Sequence, residues 1–212
     1  MNKSLHQIGI EHETDKINGE HMFNGKSYMD RYDELFSSMR YDNITVLEIG
    51  VHNGSSIRAW REYFPNARII GLDIDPRCSV YAGERIDVFT GSQSDYGALQ
   101  SIISDTPNGI DIIIDDGSHL TDHLVYSFTH LFPHVNSGGW YVMEDLANSH
   151  RDLTGDVRGW QGMEFNSPET VYINKRYVLD GFILQAVRDL DHLRGDIDHF
   201  TVMSQMMAFK KR

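Results

Sequence analysis

Five short apolar runs, each closed by a glycine, a proline or an acid, constrain this chain more than any other feature. They fall at 44–50 (ITVLEIG), 67–75 (ARIIGLDID), 85–91 (RIDVFTG), 110–114 (IDIII) and 139–145 (GWYVMED). Between them lie segments with apolar residues at helical spacing. Residues 55–64 place Ile57, Trp60 and Phe64 on one side; 96–103 read as a second helix. A third, 120–132, carries Leu120, Leu124, Phe128 and Leu131 and is ended by Pro133. Strands that are apolar on both faces, alternating with amphipathic helices, predict a parallel sheet covered on both sides. Residues 173–193 are expected to be helical, and 199–211 to form two short strands around a turn. The fold class expected is α/β: a doubly wound, mostly parallel Rossmann-like sheet with an antiparallel C-terminal hairpin.

The 212 residues fit one domain. Within it, 1–43 read as a helical and loop cover, 44–147 as the cofactor-binding core, 148–172 as an irregular acceptor loop, and 173–212 as helix plus hairpin. Loops as long as 148–172 are usually functional covers or disordered, and Trp160, Phe165 and Tyr172 in or beside it suit either stacking on an acceptor or pinning the loop to the core. A net charge of −12 and a pI near 5.2 argue against a nucleic-acid partner. The only basic cluster, Lys210-Lys211-Arg212, reads as a solvated tail. No apolar run approaches the roughly 18 residues of a membrane span, the polar start does not read as a signal peptide, and Cys78 is the single cysteine. A cytoplasmic protein without a membrane partner is expected.

Ligands of an open parallel sheet sit beyond the carboxyl ends of its strands. The first such end, LEIGVHNGSS, is a glycine-rich turn opening onto a helix. Asp73, at the end of the next strand, fits the hydroxyls of a ribose. The dinucleotide fingerprint fails, because His52 and Ser55 stand where the second and third glycines would be. A nucleoside without phosphates fits better. Glu48, Gly50 and Gly54 make an acidic cradle suited to an ammonium or sulfonium ligand.

The stretches LEIGVHNGSSIRAWREYFPNARIIGLDID, IIIDDGSH and YVMED resemble class I S-adenosylmethionine-dependent methyltransferases. More narrowly, they resemble the metal-dependent sugar O-methyltransferases of macrolide and related natural-product biosynthesis. The likeness runs from Thr14-Asp15-Lys16 to the terminal hairpin. LEIGVxxGxSxxxW, YFPNAxIxGLDID and DDGSH are specific in combination. It departs around His21 to Tyr32, where HMFNGKSY stands in place of a compact HxY element, and the chain is short beside two-domain macrolide enzymes, whose N-terminal domain is expected to be missing. The resemblance implies that Glu48, Gly50 and Gly54 line the methionine part of S-adenosylmethionine, that Asp73 holds the ribose, and that Gly91, Ser92 and Gln93 border the adenine. Ser92 and Gln93 fit a helix-capping turn equally well. Relatives commonly assemble into homo-oligomers, a state the residues themselves leave open.

The fourth and fifth strands should end side by side, carrying Asp115-Asp116 and Glu144-Asp145. Four carboxylates at one edge repel unless something positive lies between them. A hard divalent cation, Mg²⁺ above all, suits an all-oxygen set. Asp116, Glu144 and Asp145 are the ligands expected, and the resemblance points to the same three. Asp115 either faces the cofactor or braces the turn. His119, three residues past Asp116, can take a proton from a hydroxyl whose acidity the cation has raised. The expected activity is methyl transfer to a hydroxyl of a small-molecule acceptor, a sugar of a glycosylated natural product. Alternatives are a catechol-type O-methyltransferase acting on a phenolic hydroxyl, an iron-dependent oxygenase built on Asp116, His119 and His123, and a non-catalytic nucleoside-binding module. His130 and His134 read as surface or core residues.

Overall fold

The computed structural model describes residues 3–150 and 175–212. Two helices come first, α1 (Leu5–Glu11) and α2 (Tyr28–Phe36). Each starts at a serine whose hydroxyl accepts from a backbone N–H three residues on, while the side chain there, Gln7 or Asp30, returns the bond. Then strand and helix alternate: β1 (Thr45–Ile49), α3 (Ser55–Tyr63), β2 (Arg68–Asp73), β3 (Ile86–Thr90), α4 (Tyr96–Asp105), β4 (Ile110–Asp115), α5 (Thr121–Leu131), β5 (Val135–Met143) and α6 (Arg176–Asp191). The hairpin β6 (Ile197–Met203) and β7 (Met206–Lys211) closes the order.

The seven strands lie in the order β3-β2-β1-β4-β5-β7-β6. The first five are parallel; β7 runs antiparallel to both β5 and β6. This is the expected mixed sheet, with one difference: β5 starts at Val135 rather than Gly139. The two glycines that look like a strand boundary are inside it. Gly138 takes φ +79° and Gly139 packs where a Cβ would meet the Asp111 carbonyl oxygen at 2.5 Å. They accommodate an irregularity in the pairing with β4, between Ile110 and Ile112.

Side chains alternate across the sheet with period two, and each face has its own core. Val46, Ile69, Ile112, Ile114 and Val142 pack under α1, α2 and α3, against Leu5, Met29, Tyr32, Phe36, Trp60 and Phe64. Leu47, Ile70, Ile113, Tyr141 and Phe209 pack under α4, α5 and α6, against Leu99, Leu124, Phe128 and Leu179. The N-terminal helices are therefore part of the core. Among the described residues, no helix is long and apolar enough to cross a membrane.

The same parity decides where the acids at the strand ends point. Glu48 follows Val46, Asp116 follows Ile114, and Glu144 follows Val142, so all three share the α1–α3 face. Asp115 falls on the other. The ladder continues past the strands, with Asp116 N–H donating to Ile49 O (2.9 Å) and Glu144 N–H to Asp115 O (3.0 Å), which fixes the three ends relative to one another. Gly50 marks a close approach between two strand ends. It takes φ +95°, and a Cβ there would lie 2.1 Å from the Asp116 carbonyl oxygen. Gly50→Ala should lower stability by at least roughly 1–3 kcal/mol, the worth of the backbone strain alone, in urea unfolding. Gly83→Ala, with nothing within 4 Å of its Cβ, should stay within about 0.5 kcal/mol of wild type. Equal effects at the two positions would remove the close approach as the reason for the glycine.

Candidate active site

The glycine-rich turn between β1 and α3 is held by Asp73. Its Oδ2 accepts the N–H groups of Val51 (2.8 Å) and His52 (2.9 Å), and its Oδ1 accepts that of Asp75 (2.8 Å). These bonds keep His52 at φ +48°, a conformation rare outside glycine. Gly54 takes φ +71°, and a Cβ there would strike the Tyr81 ring at 2.6 Å. Asp73 thus shapes the cradle as well as standing at its rim, a second role not legible in the spacing.

Beneath the turn, Glu48 is fully buried and accepts from the Ser56 hydroxyl at 2.7 Å. Its other oxygen, Oε1, has no hydrogen-bond partner among the described residues. Burial lifts the carboxyl to about 7, against the pull of Lys16. An unsatisfied acidic oxygen at a strand end is what a cationic ligand group would require.

Glu48 shares its pocket with a residue the sequence reading passed over. Lys16, 2% exposed, donates to Asp116 Oδ2 and to Glu144 Oε2 (2.6 Å), with Glu48 Oε1 3.9 Å away. Burial disfavours the ammonium, yet Asp116, Glu144 and Glu48 together hold its pKa well above the lysine range. Glu144, 1% exposed, also accepts from the Tyr32 hydroxyl. Burial and the neighbouring Asp116 raise the Glu144 pKa well above the carboxylate range, although Lys16 opposes them. The expected repulsion among strand-end acids is real, and part of the answer is this internal cation. Its only sequence signal is the surplus of acids itself, because Lys16 sits 100 positions away from Asp116 in a polar segment.

Outside this buried pocket, Asp116, His119 and Asp145 each present one donor atom, all within 4.8 Å of one another. His119 Nε2 stands 3.7 Å from Asp145 Oδ2, and Tyr28 donates to Asp145 Oδ1 at 2.9 Å. His119 and Asp145 both take φ +55°. Left-handed conformations at two facing non-glycine residues are the kind of strain that collects at functional sites. The donor set is one imidazole and two carboxylates, and one lysine cannot neutralise Glu48, Asp116, Glu144 and Asp145, so the residues fit a hard divalent cation. Glu144 lies outside this cluster, facing Lys16 and Tyr32. His123 is turned away to the Ser118 hydroxyl (2.9 Å), with its pKa lowered by burial. The two-histidine, one-carboxylate arrangement of an iron site is not assembled among the described residues.

Asp115 stands apart from this cluster. Asp115 is fully buried on the α4–α6 face and accepts from Gln93 Nε2 (2.8 Å), Ser127 Oγ (2.5 Å) and Tyr141 OH (2.6 Å). Burial raises its pKa above the usual range while these three bonds pull it down. These bonds tie the end of β4 to α5, β5 and the turn after β3. Gln93 is 5% exposed and also accepts the Ser118 N–H at 2.6 Å, locking the DDGSH turn to the turn after β3. Ser92 shares a hydrogen bond with Ser94 at 2.9 Å. Trp160, Phe165 and Tyr172 lie outside the described residues, as does most of 148–172.

No protein-family model matches the chain. Curated relatives do. The chain is 36% identical over 149 residues to the 8-demethyl-8-(2-methoxy-alpha-L-rhamnosyl)-tetracenomycin-C 3'-O-methyltransferase of Streptomyces olivaceus, covering 67% of this chain and 36% of that one. It is 42% identical over 122 residues to the mycinamicin VI 2''-O-methyltransferase of Micromonospora griseorubida, covering 54% and 30%. Among solved structures, the MycE methyltransferase of the mycinamycin biosynthetic pathway, in complex with Mg and SAH, superposes with a TM-score of 0.74 at 30% identity, over 100% of this chain and 56% of that one. A second MycE complex, which also contains mycinamycin VI, gives 0.76 at 28% identity, covering 99% and 54%. The chain spans little more than a third of its first curated relatives and about half of these structures. It carries the class I S-adenosylmethionine-dependent methyltransferase fold and is a homologue of the sugar O-methyltransferases of macrolide and tetracenomycin biosynthesis.

Proposed function

We propose that the chain is an S-adenosylmethionine-dependent O-methyltransferase, assisted by Mg²⁺, that acts on a sugar hydroxyl of a glycosylated natural product. The observation that carries this reading is the juxtaposition of two sites at one sheet edge. The cradle of Glu48, Gly50, Gly54 and Asp73 stands beside the cluster of Asp116, His119 and Asp145. The relatives supply the acceptor class: by name they methylate rhamnosyl, olivosyl and related sugars of small molecules. The chain's strong negative charge agrees with an acceptor other than nucleic acid.

Each residue then has a task. Asp73 offers its carboxylate to the ribose while keeping the turn in shape. Glu48 faces the positive end of the cofactor with its unsatisfied oxygen. Ser92 and Gln93 border the adenine, Gln93 also locking the neighbouring turn. Asp116, Glu144 and Asp145 hold the cation, Glu144 through the lone pairs that Lys16 and Tyr32 leave. When bound, the cation lowers the pKa of a hydroxyl on it, and the sulfonium donor carries the methyl in activated form. His119 takes the proton, oriented by Asp145. What remains for the protein is in-line positioning of the acceptor.

The cation is tested by exhaustive chelation, with turnover measured on a glycosylated acceptor bearing free vicinal sugar hydroxyls. Turnover should vanish while S-adenosylmethionine stays bound, and Mg²⁺ should restore it. Full activity after chelation would take the metal out of the mechanism; restoration by Fe²⁺ and oxygen alone would favour an oxygenase. Turnover on catechols but on no sugar would move the acceptor to a phenol.

His119 is tested by separating turnover from binding. His119→Ala should lower kcat by roughly 10²–10⁴, the usual worth of a positioned base, with cation and cofactor affinities close to wild type in calorimetry. Wild-type kcat would make His119 a structural neighbour of Asp145. A tenfold or greater loss of cation affinity would make it a ligand.

A further inference from the structure

Lys16 is placed with more care than a chance ion pair requires. It lies in a 3-10 turn, Asp15–Ile17, in which the buried Thr14 hydroxyl accepts the Lys16 N–H. The Thr14 N–H donates to Gly9 O at 3.1 Å, and Ile17 packs so closely on Gly9 that a Cβ there would meet it at 2.6 Å. The turn is thereby fastened to α1, and α1 to the sheet face. From that point the side chain crosses the core and ends between the carboxylates of three adjacent strands. Two of them, Asp116 and Glu144, are cation ligands in the function proposed above, on which this inference rests. Asp116 is in contact with both worlds: its Oδ2 is on Lys16, and it is also a member of the Asp116–His119–Asp145 cluster.

An ammonium and a divalent cation that share two carboxylates repel each other through a poorly screened pocket. Each lowers the other's hold on the shared ligands. We propose that Lys16 is an internal counter-ion that sets the affinity of the cation site. It neutralises part of the Glu48, Asp116 and Glu144 charge permanently, keeping the fold stable without metal and making the cation weakly bound and exchangeable. Without Lys16, the same carboxylates would depend on the metal for their only positive partner.

The test uses the full chain and Mg²⁺ alone, with affinity read by titration calorimetry and stability by thermal unfolding in chelator and in Mg²⁺. Lys16→Met should bind Mg²⁺ about tenfold tighter or more, as expected when a like charge beside a cation is removed. Its Tm should fall in chelator, and Mg²⁺ should raise that Tm by more than it raises the wild-type Tm. Lys16→Arg, which keeps the charge, should stay near wild type in affinity. A residue that merely filled space would leave Mg²⁺ affinity unmoved, so a Lys16→Met affinity equal to or weaker than wild type overturns the inference. If Lys16→Met does not fold in Mg²⁺, Lys16→Met/Glu48→Gln is compared with Glu48→Gln: the added Lys16 change should again tighten Mg²⁺, and no tightening overturns the inference. Wild-type protein that binds no Mg²⁺ would instead remove the cation-assisted function beneath it, a result distinct from the others.

Discussion

Acids brought into a dry pocket must be given partners, and this requirement organises the molecule from its amino-terminal turn to its fifth strand. Parallel pairing of β1, β4 and β5 places Glu48, Asp116 and Glu144 on one face. The hydrophobic core under them is what makes their burial costly. The answer is divided. Lys16, Tyr32 and Ser56 satisfy the inner oxygens except Glu48 Oε1. Asp145 and His119 turn outward, with Asp116 between the two regions. The site is therefore a boundary between a neutralised interior and an acidic exterior, at the edge where the glycine-rich turn opens.

The fold was legible because strand and helix carry different periods, and both are strong here. Runs such as IIIDD and ARIIGLD are too apolar to be anything but buried strands, and the helices between them leave polar faces outward. β5 was misjudged at its start because glycines usually break strands, whereas Gly138 and Gly139 serve an irregularity within this one. The site was legible in part. The strand-end acids, the turn glycines and His119 do cluster at one edge. The side chains of Asp115 and Asp116 are neighbours in sequence but not in space. Period-two alternation sends adjacent side chains to opposite faces, and that rule, applied at the strand end, separates them. Lys16 could not be located this way. Its partners come from distant strands, and nothing local in a polar segment announces where a lysine will end.

The segment 21–28 shows how a departure in sequence is accommodated beside the site. HMFNGKSY looks unlike a compact HxY element, yet Phe23 and Lys26 close a small hairpin on one another, with Asn24 and Gly25 at positive φ. The intervening residues loop out, and the His21 and Tyr28 rings come together at 4.8 Å beside Asp145. Tyr28 and Tyr32, one turn apart on α2, then reach Asp145 and Glu144. Consecutive residues of the fifth strand end are thus read by one face of one helix.

The placement of β7 between β5 and β6 has a consequence for how the protein is made. Synthesis runs from the amino terminus, so β5 is complete while residues 206–211, which cover its outer edge, have yet to be translated. During that interval Trp140, Tyr141, Val142 and Met143 present an unpaired apolar edge, the sort of template on which nascent chains associate. Glu144 and Asp145 follow directly, and Gly138 and Gly139 precede. A kinked, irregular segment on one side and charges on the other bracket the exposed stretch, the pattern that restrains association between strand edges. Glu144 and Asp145 thus stand where charges flanking an apolar strand restrain edge pairing.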